Sequence, residues 1–404
     1  MKTKTLLCVA VCACLGGALA GCGSEGPTDS ERASELYLDG LNELYEEISG
    51  VDAEQAPWEW SSDVAEAAAR FDEALTYDPD HCGALLGSAL CHVLLAATDQ
   101  ELAEILDDLF PVSSGTSPRA LFWYMDGPDL AAARDLLRER DDGFYFSVLQ
   151  SWIETKALPE LAIADERLSR FETLGCEVDL VVILPDTLGA RDQLLVLDLD
   201  VTDAYFGHAA VDALQAACHC LASYDVDVSG SQTPQDVIEY DPDFLTLRAN
   251  GHLPATYDEI TSLGINLELA AESLAGETDG QSDDLITETG GVIELDELLE
   301  GSSVDLVRQA GEEIGVALAT GMEVQLIDVD PTAPDVSVLV DLDELMNDPL
   351  ADLREYLPDH SWSSPYDMVI TKPVTLPDPT LDGITPDMEN EDWAPIVDWL
   401  RGYW

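Results

Sequence analysis

The residues able to do chemistry are few and widely separated. The chain has six histidines and nine cysteines among 404 residues. Cys218-His219-Cys220 is the densest group of soft ligands. Successive residues on a helix point about 100° apart, so these three cannot all ligate one ion. Cys218 also falls on an apolar stripe and is expected as a packed core thiol. His81 adjoins Cys82 at a predicted turn. His92 lies further along the next helix, roughly a quarter of a turn away from Cys82. No Gly-x-Ser-x-Gly elbow, phosphate loop or His-Glu-x-x-His helix occurs. No catalytic residue and no organic cofactor is therefore nominated. A carboxylate pair can serve as acid and base, but with 82 Asp and Glu residues no pair stands out.

Oxygen ligands are better supplied. Asp225, Asp227, Ser229, Gly230, Thr233 and Asp236 follow the spacing of an EF-hand calcium loop, with the glycine at the sharp turn. Asp236 stands where a bidentate glutamate is usual, and Gln232 and Pro234 depart from the pattern. A second acidic loop gathers Glu277, Asp279, Asp283 and Asp284 with Gln281 and Ser282, directly after a predicted helix. Calcium is the metal these loops suit. The competing reading is that both are simply solvated and screened by salt.

The acids are spread over the whole chain. The formal net charge is −65 at pH 7, and only Lys156 and Lys372 follow Cys22. Such a surface repels phosphate backbones, which excludes nucleic acid as a partner. Self-repulsion on this scale destabilises a compact state unless salt screens it. The pattern fits a protein of a salt-adapted bacterium. Hydrophobic residues make up 46% of the chain, so it is a folding sequence and not an acidic tail.

The first residues carry an address. Lys2 and Lys4 precede an apolar run over residues 5–19 that is too short to span a bilayer. It ends in Leu19-Ala20-Gly21-Cys22. This stretch resembles the lipobox of bacterial lipoproteins. The resemblance implies cleavage before Cys22, diacylglycerol on its thiol, further acylation as anchor, and residence in the cell envelope. Gly23 follows the cysteine where an acidic residue would signal retention, which by the same resemblance favours the outer membrane. No later apolar run is expected to cross a membrane. Export permits disulfides among Cys82, Cys91, Cys176, Cys218 and Cys220, and the odd number leaves at least one thiol without an internal partner.

These residues must be positioned by helices. Val64, Ala67, Ala68, Phe71, Ala74 and Leu75 recur at helical spacing, and Asp78-Pro79 ends the run. Ala84, Leu85, Ala89 and Val93 mark the next helix, and Leu102, Ile105 and Leu106 a third. Ala67, Phe71, Ala74 and Pro79, followed by Ala84, Leu85 and Ala89, resemble the tetratricopeptide repeat over about residues 36–110. The resemblance implies helical hairpins that hold a protein segment in a groove. The long loop carrying Trp58 and Trp60 departs from that family, as does the downstream repeat.

Further stripes are Leu161, Ala164, Leu168 and Phe171; then Ala204, Gly207, Val211, Leu214, Cys218 and Leu221; then Ile260, Leu263, Leu267, Ala271 and Leu274; then Val307, Ala310, Ile314 and Ala317. Residues 180–184 and 194–199 are strand-like, and alternation over 322–328 and 335–341 predicts a hairpin. A Pro-rich strap over 372–386 and a short aromatic helix end the chain. The expected fold is mainly α with minor β-structure. The expected divisions are a leader (1–21), a lipidated tether (22–34), a tetratricopeptide-like domain (35–175) and a mixed, mostly helical domain (176–404). The expected role is a membrane-anchored, non-enzymatic binding or envelope-assembly lipoprotein with a protein partner. The alternatives are an envelope hydrolase without a recognisable motif and a calcium-stabilised surface protein.

The charge makes a direct prediction. The melting temperature should rise as NaCl goes from low concentration to about 1 M, where the Debye length falls to about 3 Å. A melting temperature flat with salt contradicts the salt-adaptation reading. A rise with micromolar calcium at constant ionic strength points to the acidic loops instead.

Overall fold

Apolar residues at three- and four-residue spacing become helices here, and the molecule is mainly helical. The computed structural model describes residues 11–12, 27–50, 61–109, 145–184, 193–228, 233–249, 251–276, 286–287, 293–294, 303–326, 336–340, 342–357, 360–365 and 367–370. The expectations for Cys22, Ser229, Glu277, Asp279, Asp283, Asp284, Trp58, Trp60, the strap and the terminal helix lie outside these residues.

The helices are α1 (Asp29–Gly50), α2 (Ser61–Tyr77), α3 (Cys82–Thr98), α4 (Gln100–Leu109), α5 (Ser147–Trp152), α6 (Leu158–Leu174), α7 (Val201–Ala222), α8 (Pro234–Tyr240), α9 (His252–Gly276), α10 (Ser303–Thr320) and α11 (Leu342–Asn347). A single π-helical turn, Ile153–Ala157, links α5 to α6. Three sheets are antiparallel. Strand β1 (Val11–Cys12) adds a two-residue edge to the hairpin of β2 (Val178–Leu184) and β3 (Gln193–Leu199). The expected C-terminal hairpin is β6 (Met322–Leu326) with β7 (Val336–Val340), in register from Met322↔Val340 to Leu326↔Val336. Strands β8 (His360–Ser364) and β9 (Asp367–Ile370) form another hairpin. The short strands β4 (Ile286–Thr287) and β5 (Ile293–Glu294) pair in parallel.

Packing divides the chain into two compact units. One comprises Met1–Ala103, Thr155–Leu214 and Leu263–Gly311; the other Glu104–Glu154, Gln215–Ser262 and Glu312–Trp404. Each draws on three stretches of chain, so neither coincides with the expected 35–175 and 176–404. Helix α1 already opens at Asp29, within the stretch expected as a tether. Glu31 fixes that start by accepting from the Thr28 N–H at 2.8 Å, while Thr28 Oγ1 accepts from the Glu31 N–H.

The first unit is built around Phe71, which is fully buried with Val64, Ala67, Ala68 and Ala74. Its ring lies between two glycines. A Cβ on Gly40 of α1 or on Gly87 of α3 would come within 2.8 Å of it. Tyr37 completes the pocket at a centroid distance of 5.9 Å. The small residues therefore set how closely α1, α2 and α3 approach, and the aromatic fills what remains. Leu161, Ala164, Leu168 and Phe171 form the buried face of α6 as expected, and α6 is the far-sequence neighbour of α3.

Two expectations need correction. Cys82–Ile105 is long and apolar enough to cross a membrane, contrary to the reading that no later segment is, but 56% of that window is buried within the protein. Its apolarity is used by α1, α2 and α6. The buried face of α7 also differs from the apolar stripe. Leu214 and Leu221 are 46% and 48% exposed, while His208, Asp212 and Gln215 are buried. Polar side chains occupy part of the face where only apolar ones were expected. Ala310 on α10 is likewise exposed.

Phe71→Ala should cost about 3–5 kcal/mol of unfolding free energy, because the two facing glycines cannot fill the cavity. Ala74→Leu and Gly87→Ala should each cost about 1–3 kcal/mol by overpacking. Glu73→Gln, on the solvent side, should change little. Urea unfolding of the four variants checks this, and an F71A midpoint matching that of E73Q would place Phe71 outside the core.

Candidate functional site

Helix α6 is the element to which the polar groups of the first unit attach. Pro159 sits in its first turn, and Gly175 ends it in the left-handed conformation at φ 63°. The Cys176 N–H then donates to the Phe171 carbonyl. This reversal brings Cys176 to Cys82, the first residue of α3, and the two form a disulfide with Cα atoms 5.6 Å apart. His81 caps the same end of α3, its Nδ1 accepting from the Ala84 N–H at 3.2 Å.

His92 is the first polar centre. It is buried on α3, with Nδ1 2.5 Å from Glu160 Oε2 on α6 and Nε2 3.3 Å from Asp72 Oδ2 on α2. Ser88 donates to the other Asp72 oxygen at 2.8 Å, and Arg167 of α6 lies 3.6 Å from it. Burial disfavours the imidazolium, but the hydrogen bonds and charges of Asp72 and Glu160 outweigh it and raise the His92 pKa. Beside this centre an open pocket of about 310 Å³ is lined by Leu95, Ala96, Asp99, Gln100, Lys156 and Glu160.

His208 on α7 is the second centre. Its Nε2 is 2.5 Å from Asp165 Oδ1 and 3.9 Å from Asp212 Oδ1; its Nδ1 is 2.9 Å from Glu172 Oε1. Asp165 and Glu172 come from α6, and Asp212 is four residues beyond His208 on α7, the spacing that puts two side chains on one helix face. Asn266 of α9 donates to the second oxygen of Asp212 at 2.8 Å. The ligand atoms of Asp165, His208 and Asp212 all lie within 4.8 Å of one another, so these three can share a cation. Without one, burial opposes the charged ring, but Asp165, Glu172 and Asp212 together push the His208 pKa up to about 10. Sequence reading missed this group. The one local signal was His208 and Asp212 at helical spacing; Asp165 and Asn266 are remote in the chain.

The second unit holds a histidine pair. His219 Nδ1 and His252 Nδ1 are 2.7 Å apart, and His252 Nε2 is 3.2 Å from Glu154 Oε1, which also meets Arg248 at 2.9 Å. Burial and the neighbouring His252 lower the His219 pKa to about 4. The flanking thiols are disfavoured as thiolates. Burial pushes Cys218 up to about 11 and raises Cys220, and Cys91 in the first unit is pushed up to about 12 by burial and by Asp72. None is poised as a nucleophile at neutral pH.

The described calcium candidates have protein partners. Asp227 accepts from the backbone and hydroxyl of Ser147 at 2.7 and 2.6 Å, and Asp225 accepts from the Asp227 N–H. Asp236 lies in the first turn of α8. There its carboxylate accepts from Thr233 and closes a capping box, which holds its pKa low. Asp225 and Asp227 are thus neighbours, and Asp236 serves a helix start.

His219 should titrate near pH 4, against about 6.5 for a free imidazole. Its folded pKa lies below its unfolded one, so the unfolded chain binds more protons between these values. The stability that neutral His219 contributes is present above pH 6.5 and is lost as pH falls toward 4. An NMR titration of the His219 ring checks this, with His219→Gln to assign the signal; a midpoint at 6.5 or higher contradicts it.

In comparisons with known proteins, no family model, no curated protein sequence and no solved structure matches the chain.

Proposed function

We propose that this chain is an exported lipoprotein, anchored through Cys22, whose helical body holds a protein partner in the cell envelope of a salt-adapted bacterium. The observation that carries the reading is Leu19-Ala20-Gly21-Cys22 at the end of a short apolar run behind two lysines. Two or more acyl chains on one cysteine give stable anchoring where a single chain is marginal. The outer membrane is the proposed destination, from Gly23 after the lipidated residue.

Binding rather than catalysis is supported by the chemistry that surrounds the candidate groups. The buried His92 and His208 are engaged with carboxylates, the half-buried His219 and His252 with one another, and the described free thiols are held protonated. Helices α1, α2 and α3 supply the hairpin unit in which a tetratricopeptide-like module presents a groove. An acidic surface of this density favours a partner with a basic or neutral contact face.

Cys22→Ser should move the protein from the membrane fraction to the soluble fraction while leaving its circular dichroism unchanged. Metabolic labelling with a fatty-acid analogue should be lost in the same variant. A C22S protein that still sediments with membranes after a high-salt wash overturns the anchor. Co-purification from detergent-solubilised membranes then tests the second half of the reading: a stoichiometric envelope protein supports it, and a chain recovered alone after crosslinking does not.

A further inference from the structure

We propose that Asp165, His208 and Asp212 form a binding site for a divalent transition-metal ion of the zinc or manganese class. The site lies within the first compact unit, between α6 and α7, and does not depend on the lipid anchor. One imidazole nitrogen and two carboxylate oxygens suit borderline and harder divalent ions, and three protein ligands leave a coordination position for water.

The geometry around the ligands points the same way. Glu172 takes the Nδ1 side of the His208 ring at 2.9 Å. An ionised carboxylate accepts, so Nδ1 carries a hydrogen and the neutral ring presents its Nε2 lone pair to Asp165 and Asp212. A carboxylate behind a histidine is the usual outer support of a metal-bound imidazole. Asn266 performs the matching task for Asp212, holding Oδ2 at 2.8 Å while Oδ1 faces His208 Nε2. Both inner ligands are thus oriented by an outer partner. This is more than a gathering of acids.

Three ligand atoms that lie within 4.8 Å of one another can be met together by one divalent ion. A proton on Nε2 serves Asp165 at 2.5 Å but lies beyond hydrogen-bonding range of Asp212 Oδ1, which is 3.9 Å from that nitrogen. Metal–ligand bonds of about 2.0–2.2 Å ask for a small adjustment of Asp165, which stands 2.5 Å from Nε2, closer than two ligands of one ion. Asp165 is free to make that movement because its side chain is 41% exposed, whereas Asp212 is 1% exposed. The ion enters from the Asp165 side, and Asp212 and His208 form the fixed floor.

The test uses the mature chain, purified in detergent, stripped with chelator and kept in about 1 M NaCl to screen adventitious surface binding. Titration with zinc or manganese chloride should show one strong equivalent by calorimetry. Cobalt should give visible ligand-field bands without thiolate charge transfer. Asp165→Asn should weaken binding by about tenfold or more and His208→Gln should abolish it, while Cys218→Ser with Cys220→Ser changes nothing. Glu172→Gln should weaken binding by about 10–100-fold without touching a ligand. Should H208Q fail to fold, the half-exposed Asp165 decides the matter. The proposal is overturned if none of the three metals binds in a single strong equivalent, if D165N binds as the parent does, or if the cobalt spectrum reports sulfur ligation. A ring proton retained on Nε2 in excess zinc would mean that the group is a proton-bridged ion cluster only.

Discussion

A shortage of cations governs this molecule. It carries 82 carboxylates against 17 lysines and arginines. Every described arginine meets a carboxylate. Most of these pairs are partly solvated and contribute little each. The interior is where the shortage matters, and there histidine takes the place of lysine. It is small enough to pack between helices, and its two nitrogens can face two acids at once. His92 joins α2, α3 and α6 in this way, and His208 joins α6 to α7.

The apolar core and these polar clamps are complementary. Phe71, Gly40 and Gly87 set the separation of the first three helices by volume alone. Volume does not fix which residues of α3 and α6 face each other, because one leucine ridge slides past another at small cost. Directional contacts do: His92 to Glu160 near one end, and the Cys82–Cys176 bridge at the other. A helix held at two points on its length has one register.

Much of the secondary structure was legible in the sequence, and the polar centres were not. The buried faces of α2 and α6 follow from apolar spacing because every buried position there that matters to packing is apolar. The β6–β7 hairpin follows from strict alternation. The face of α7 was misread by about one residue, since a count of apolar residues gives no weight to His208, Asp212 and Gln215, which are buried. The clusters themselves join residues as distant as Asp165 and Asn266, and no local window contains both. The acidic run near Asp225 has roles that spacing alone did not show. Asp236 closes a helix start and Asp227 holds the beginning of α5.

The Cys82–Cys176 bond closes a covalent ring of chain whose ends are 94 positions apart in sequence. A protease that cuts once anywhere inside that ring releases nothing. The two pieces stay joined, α3 remains beside α6, and the molecule migrates as a single species until a reductant separates it. A single cut in the α4–α5 connection is therefore silent under oxidising conditions. The same cut outside the ring, in a segment without a second covalent path, leaves the distal fragment held by packing alone.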